Sequence, residues 1–123
     1  MSKLIHSELS RKVLSLAFSV NNILGPGLVE SCYEGALVIE LKQAGIPFQR
    51  QQVFPLYYKG ELVGGYIADL VVDNTIILEI KSVHALSPVM EAQLLNYLRL
   101  SKCPVGFLLN FNATRLEYKR FVC

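Results

Sequence analysis

No apolar run in this chain approaches the ~20 residues needed to span a bilayer, and the opening residues, MSKLIHSELS, lack the long apolar stretch of a secretory signal. Cysteine is scarce too. Cys32, Cys103 and Cys123 form an odd set with neither CxxC nor Cys/His metal spacing, so no structural zinc is indicated and free thiols in a reducing compartment are expected. These absences point to a cytoplasmic protein with no membrane partner. An excess of one charge sign is also missing: 12 Lys and Arg against 10 Asp and Glu leave a formal charge of +2, too small to announce a polyanion partner. Basic residues gather only locally, Arg115, Lys119 and Arg120 near the C-terminus and Arg99 and Lys102 at the end of a predicted helix, as they also do on an ordinary solvated surface.

What is present is a chain of 123 residues, 52% hydrophobic and 18% charged, without internal repeat, low-complexity tract or linker. This predicts one self-folding domain over residues 1–123, with enough length to bury about two-thirds of its unfolded surface. Apolar residues at helical spacing from Leu9 to Leu24 end at Gly25-Pro26-Gly27, and a second helical stretch runs from Val29 to Ala44, with Gly45 at its C′ position and Pro47 beyond. Strand-like runs follow at Gln52 to Tyr58, Leu62 to Val72 and Thr75 to Lys81, with turn chemistry at Lys59-Gly60 and Asp73-Asn74, and they read as an antiparallel meander. Ser87 offers an N-cap and Pro88 an N1 residue for a helix to about Leu100, and two strands, Pro104 to Leu109 and Arg115 to Phe121, flank an Asn110 to Asn112 turn. The expected fold class is α/β in the order ααβββαββ, a mixed central sheet flanked by helices.

Within YIADLVVDNTIILEIKS an aspartate precedes a Glu-x-Lys by ten residues, with a turn between them. Strand alternation puts Ile77, Glu79 and Lys81 on one face of the third strand and Ile76, Leu78 and Ile80 on the other. An ionised carboxylate beside so apolar a run is costly unless paired or bound to a cation. A Glu79–Lys81 pair alone would be an unremarkable structural feature. The surrounding set is more specific: Asp69 on the preceding strand, Glu30 in the first turn of the second helix, and Gln93 and Tyr97 one turn apart on the third helix. Asp69 and Glu79 can share a metal only if their side chains converge. A two-residue loop at Asp73-Asn74 would place them on opposite faces, whereas a three-residue loop ending at Thr75, or a bulge, would pair them.

Asp69 with Glu79-Ile80-Lys81 resembles the signature of the PD-(D/E)xK nuclease superfamily. Gln93-Leu94-Leu95-Asn96-Tyr97 is similar to the QxxxY motif of its RecB-like branch, and Gly27-Leu28-Val29-Glu30-Ser31-Cys32-Tyr33 spells the pattern of the GxxExxY protein family, a likeness running from about His6 to the C-terminus. The resemblance implies a restriction-endonuclease-like core and a metal-dependent nuclease hydrolysing DNA phosphodiesters, with DNA favoured over RNA. It assigns Lys81, Glu79, Asp69 and Glu30 as catalytic residues, and Asp69, Glu79, the Ile80 main-chain carbonyl and Glu30 as hard-oxygen ligands for Mg²⁺ or Mn²⁺. Gln93 and Tyr97 would position the water, the lysine or a substrate phosphate, and Glu34, on the same helix face as Glu30, could take over the role of that residue. Two departures stand out, Asn21 where the family usually has His and Ile67 where it has Arg. They support an alternative, a weak or inactive nuclease-fold module that grips nucleic acid or a partner protein. A third reading makes Tyr57, Tyr58 and Tyr66 a homodimer or partner surface used for targeting.

Overall fold

A computed structural model describes residues 5–123, so the first four residues of the polar opening segment lie outside it. The chain runs α1 (Ser7–Leu24), α2 (Glu30–Gln43), β1 (Phe48–Tyr58), β2 (Glu61–Val72), β3 (Ile76–Lys81), α3 (Pro88–Ser101), β4 (Val105–Asn110) and β5 (Glu117–Val122). The element order is the expected ααβββαββ. Among the described residues no helix is long and apolar enough to cross a membrane, and Cys32, Cys103 and Cys123 are free.

Local chemistry sets the boundaries. Helix α2 ends in a Schellman arrangement: Gly45, at φ +70°, donates its N–H to the Lys42 carbonyl, and the Ile46 N–H reaches back to Leu41. The Ser87 hydroxyl caps α3 by accepting the Met90 N–H, with Pro88 in the first turn where its missing donor costs nothing. Strand β1 begins at Phe48, four residues before the expected start. The Phe48-Gln49-Arg50-Gln51 stretch has no apolar alternation to announce a strand, yet it pairs with β2 from Phe48↔Val72 onward.

The five strands lie in the order β1-β2-β3-β4-β5, with β3 and β4 parallel and the other pairs antiparallel. Helix α3 makes the crossover that a parallel β3–β4 pair requires. On one side of the sheet α1 and α2 cover Leu70, Val72, Ile76, Leu78, Ile80, Phe107 and Leu109, with Tyr33 stacked on Phe111. On the other, Leu94 and Leu98 of α3 pack with Ile77, Val71, Leu108, Ala68 and Tyr66. Gly106 lets α3 approach β4 closely, since a Cβ there would lie 3.0 Å from the Leu94 and Leu98 methyls.

Alternation along β2 skips a step at Asp69. Tyr66 and Ala68 face α3, but Leu70 and Val72, two and four residues on, belong to the opposite cluster. On β1 the break falls at Gln51, at φ +50°, and the pairing with β2 passes from Arg50↔Leu70 to Gln52↔Ala68, leaving Gln51 and Asp69 out of the ladder. Both strands of the hairpin thus irregularise at one level, as strands do beside sites where a side chain is re-aimed.

Candidate active site

The β2–β3 connection is a three-residue loop ending at Thr75, one of the arrangements that let Asp69 and Glu79 converge. Asp73 and Asn74 are both left-handed, at φ 51° and 52°, Thr75 donates its N–H to Val72, and the ladder resumes at Val72↔Ile76, Val71↔Ile77 and Leu70↔Leu78. The next step of that register sets Asp69 opposite Glu79. Here side chains take over from the ladder: the Ile80 N–H donates to Asp69 Oδ2 at 2.8 Å, and the Asp69 N–H reaches Glu79 Oε2 at 3.4 Å. Each carboxylate is tethered by a main-chain donor at or beside the other, so the two are held together on one side of the sheet.

Glu79 is only 7% exposed. Its carboxyl is pushed up to about 7, first by burial and then by the negative charge of Asp69, against the opposing pull of the Tyr66 hydroxyl, the Asp69 N–H and Lys81. Tyr66 donates its hydroxyl to Glu79 Oε2, and burial beside that carboxylate raises the phenol well above its usual range. Tyr66 is 5% exposed, whereas Tyr57 and Tyr58 are 60% and 63% exposed. The three tyrosines therefore do not form one surface, because Tyr66 lies on the α3 side under the helix. Sequence reasoning missed its part in the site; the available signal was its position three residues before Asp69.

Lys81 follows Glu79 on the same face of β3, half-buried and without a salt bridge among the described residues. Its exit from the strand is clamped by Asn110, whose side chain accepts the Val83 N–H and donates to the Val83 carbonyl, while Phe111 donates its N–H to the Lys81 carbonyl. Asn110 was expected only as a turn residue; it is 1% exposed and pairs opposite Lys81 in the parallel ladder.

Glu30 is exposed as the first residue of α2, beside Leu28, Val29, Ser31 and Ser82, and among the described residues no group of three or more His, Cys, Asp or Glu side chains is gathered closely enough to hold a metal ion. One turn later Glu34, 7% exposed, does point toward the carboxylates. It pairs with Arg50 at 3.1 Å and accepts the Gln51 amide at 3.0 Å, and the same amide lies 3.5 Å from Asp69 Oδ1. The second turn of α2 thus faces the level at which β1 and β2 irregularise.

On α3, Tyr97 is half-buried with its ring stacked parallel on Tyr66, and burial, then the charge of Glu79, raises its phenol. Gln93, one turn earlier, is exposed. The two departures lie elsewhere. Asn21 is buried and donates to the carbonyls of Phe111 and Ala113, and Ile67 is exposed on β2 opposite Val53.

Two carboxylates with oxygens left over, Asp69 Oδ1 bonded only weakly and Glu79 Oε1 without a hydrogen bond among the described residues, make a donor set that fits a hard divalent cation, whose remaining positions water and phosphate can fill. The family model of the PD-(D/E)XK nuclease superfamily matches residues 7–121, and the chain belongs to that superfamily. Its fold is restriction-endonuclease-like. The solved structure described as "Crystal structure of SSO0001" superposes with a TM-score of 0.56 at 19% identity, covering 98% of this chain and 60% of the other, so the present chain spans well under two-thirds of that protein's length. A comparison with curated proteins found no match.

Proposed function

We propose that this chain is a metal-dependent nuclease that hydrolyses DNA phosphodiesters at the Asp69, Glu79 and Lys81 site. The observation that carries the reading is the cross-tethering of Asp69 and Glu79 through the Ile80 and Asp69 N–H groups, with Lys81 next along the same face of β3. Asp69, Glu79 and the Ile80 carbonyl would hold Mg²⁺ or Mn²⁺, with Glu30 of α2 as the further carboxylate and Glu34, linked to Asp69 through the Gln51 amide, as its alternative. A cation there supplies charge neutralisation at the phosphate and makes a bound water more acidic. The remaining work belongs to side chains. Tyr66 occupies one oxygen of Glu79, and the other accepts no hydrogen bond among the described residues. Lys81, a compact cation without a salt bridge among the described residues, orients the attacking water or stabilises charge building on the phosphoryl oxygens. Gln93 and Tyr97, on the helix that closes this side, position the substrate. The finer resemblance, to the GxxExxY family and the QxxxY branch, is part of the same proposal and rests on Gly27, Glu30 and Tyr33 and on Gln93 and Tyr97.

The alternative of a non-cutting module drew its support from Asn21 and Ile67. Asn21 clamps the loop after β4 and Ile67 sits on the outer hairpin, so neither is bonded to the carboxylate pair. The test is incubation of the purified protein with single- and double-stranded DNA and RNA in Mg²⁺, Mn²⁺ or EDTA, beside Asp69→Ala. Metal-dependent cleavage of DNA that disappears in the variant is expected. Cleavage that survives Asp69→Ala, or none with any substrate and either ion, sinks the proposal.

A further inference from the structure

Between α3 and the outer half of the β1–β2 hairpin lies a cavity of about 540 Å³ lined by Leu56, Gly65, Tyr66, Asn96, Tyr97, Arg99 and Leu100, a volume within the ~300–1,000 Å³ of small-molecule sites. Its floor is the Tyr97 ring, which lies within 11° of parallel over Tyr66. Tyr66 is buried beneath, so Tyr97 has one face spent on Tyr66 and remains half-exposed toward the cavity. Leu56 and Leu100 add apolar walls. At the rim Arg99 donates to the Asn96 side-chain oxygen, which leaves the Asn96 amide N–H groups and further guanidinium donors available. Tyr66, which also lines the cavity, donates its hydroxyl to Glu79 and so links the cavity to the carboxylate site.

A planar ring to stack, apolar walls, an amide at the edge and a single cation match the parts of a nucleotide: a base with a polar edge and a phosphate. We propose that this cavity is a nucleobase subsite, in which one base flanking the scissile phosphate stacks on Tyr97 and the adjoining phosphate meets Arg99. The inference rests on the nuclease reading and names its substrate class. A base inside a duplex has both faces covered by its neighbours, so only an unpaired nucleotide can lie on Tyr97, and the preferred substrate is a single strand or a frayed end.

The test measures binding in EDTA, apart from catalysis. The probe is a short single-stranded oligonucleotide, as DNA and as RNA, carrying a fluorescent adenine analogue whose emission is quenched on stacking, compared with a blunt duplex and with a strand of abasic residues. Wild type should quench the probe and bind it at least ~10-fold more tightly than the duplex or the abasic strand. Tyr97→Ala should weaken binding roughly 10- to 100-fold, since base stacking on an aromatic ring is worth ~1–3 kcal/mol, while Tyr97→Phe stays close to wild type. Arg99→Gln should lower the slope of log affinity against log salt by about 1. Leu100→Trp fills the cavity from the next turn of the same helix and keeps the Tyr66–Tyr97 stack; it should lose quenching with an unchanged melting temperature, which covers the case in which Tyr97→Ala does not fold. Full affinity and quenching in Leu100→Trp, or equal affinity for the abasic strand, overturns the subsite. A protein that binds in this base-dependent way but never cleaves would remove the nuclease reading and leave the subsite, whereas cleavage of blunt duplex by a protein whose affinity ignores Leu100 and the bases would do the reverse.

Discussion

The two sides of the sheet are built from the same strands to different ends. Under α1 and α2 the strands present Leu70, Val72, Ile76, Leu78, Ile80, Phe107 and Leu109, and the buried polar groups there, Ser10, Asn21, Glu34 and the Tyr33 hydroxyl, come from the helices and not from the strands. Under α3 the cluster is smaller, includes Tyr66, and adjoins a buried carboxylate with a second one against it. The first side is where folding free energy comes from. The second carries groups whose burial opposes folding, and it is there that the ladder breaks and the half-covered cavity opens.

The largest effect that sharpens this contrast is expected from Phe107→Ala, which empties a fully buried aromatic site on the α1–α2 side and should cost about 3–5 kcal/mol in denaturant unfolding. Glu79→Gln, equally buried on the α3 side, should leave the metal-free protein as stable or more stable at pH 8. A loss from Glu79→Gln as large as that from Phe107→Ala would abolish the distinction.

Next in size is the pH dependence of the metal-free protein. The Glu79 carboxyl titrates near 4.5 when unfolded and at about 7 when folded, so between those values the native state holds a proton that the unfolded state has released. Stability contributed by this group is therefore present in full below pH 4.5 and is lost as pH rises to about 7, a fall of roughly 3 kcal/mol. Urea midpoints in EDTA should decline over that window in wild type and stay flatter in Glu79→Gln. A wild-type midpoint that rises across the window instead would show that Glu79 is stabilised as a carboxylate by a partner not in this account.

A comparable response is expected from metal. Mn²⁺ at 100 times its Kd stabilises a protein that binds it only when folded by about 2.7 kcal/mol. Asp69→Asn should lose the resulting rise in melting temperature, while the metal-free variant is no less stable, because asparagine can still accept the Ile80 N–H and no longer repels Glu79. Lys81→Ala should keep the rise and lose cleavage. If wild type ignores both Mn²⁺ and Mg²⁺ and Asp69→Asn strongly destabilises it, the pair is structural.

Much of this was legible because it is local. The 3.6-residue period wrote out α1 and α2, Gly45 and Ser87 marked ends that depend on a single residue's chemistry, and the alternation of Ile77, Glu79 and Lys81 fixed which side of β3 carries charge. The requirement that Asp69 meet Glu79 even named the three-residue loop among its solutions. What could not be read depends on where elements overrun one another. Glu30 and Glu34 share a helical stripe, and only the placement of α2 over the sheet links the second to Asp69 through Gln51. Gln51 lies in a polar run without periodicity, so neither its left-handed backbone nor its bridge between Glu34 and Asp69 had a signal. Tyr66 was assigned to the surface with Tyr57 and Tyr58 because the break in alternation at Asp69, which turns it beneath α3, arises from the pairing of two strands.

The smallest expected effect tests that buried tyrosine. Tyr66→Phe keeps the ring under Tyr97 and removes only the hydroxyl that donates to Glu79 Oε2. An ordinary net hydrogen bond is worth about 1 kcal/mol, so the loss in stability should be modest. The sign of its pH dependence is more informative. The hydroxyl favours the ionised carboxylate and holds the Glu79 value down against burial and Asp69; without it the carboxyl should titrate above 7, and the decline in metal-free stability should extend to higher pH. The midpoint can be followed by the carboxyl carbon shift of Glu79 in NMR, with Tyr97→Phe as the companion that leaves the Glu79 bond in place. A midpoint that stays put or moves down in Tyr66→Phe would show that the hydroxyl does not serve Glu79, and the α3 side would then owe its buried charge to Asp69 and Lys81 alone.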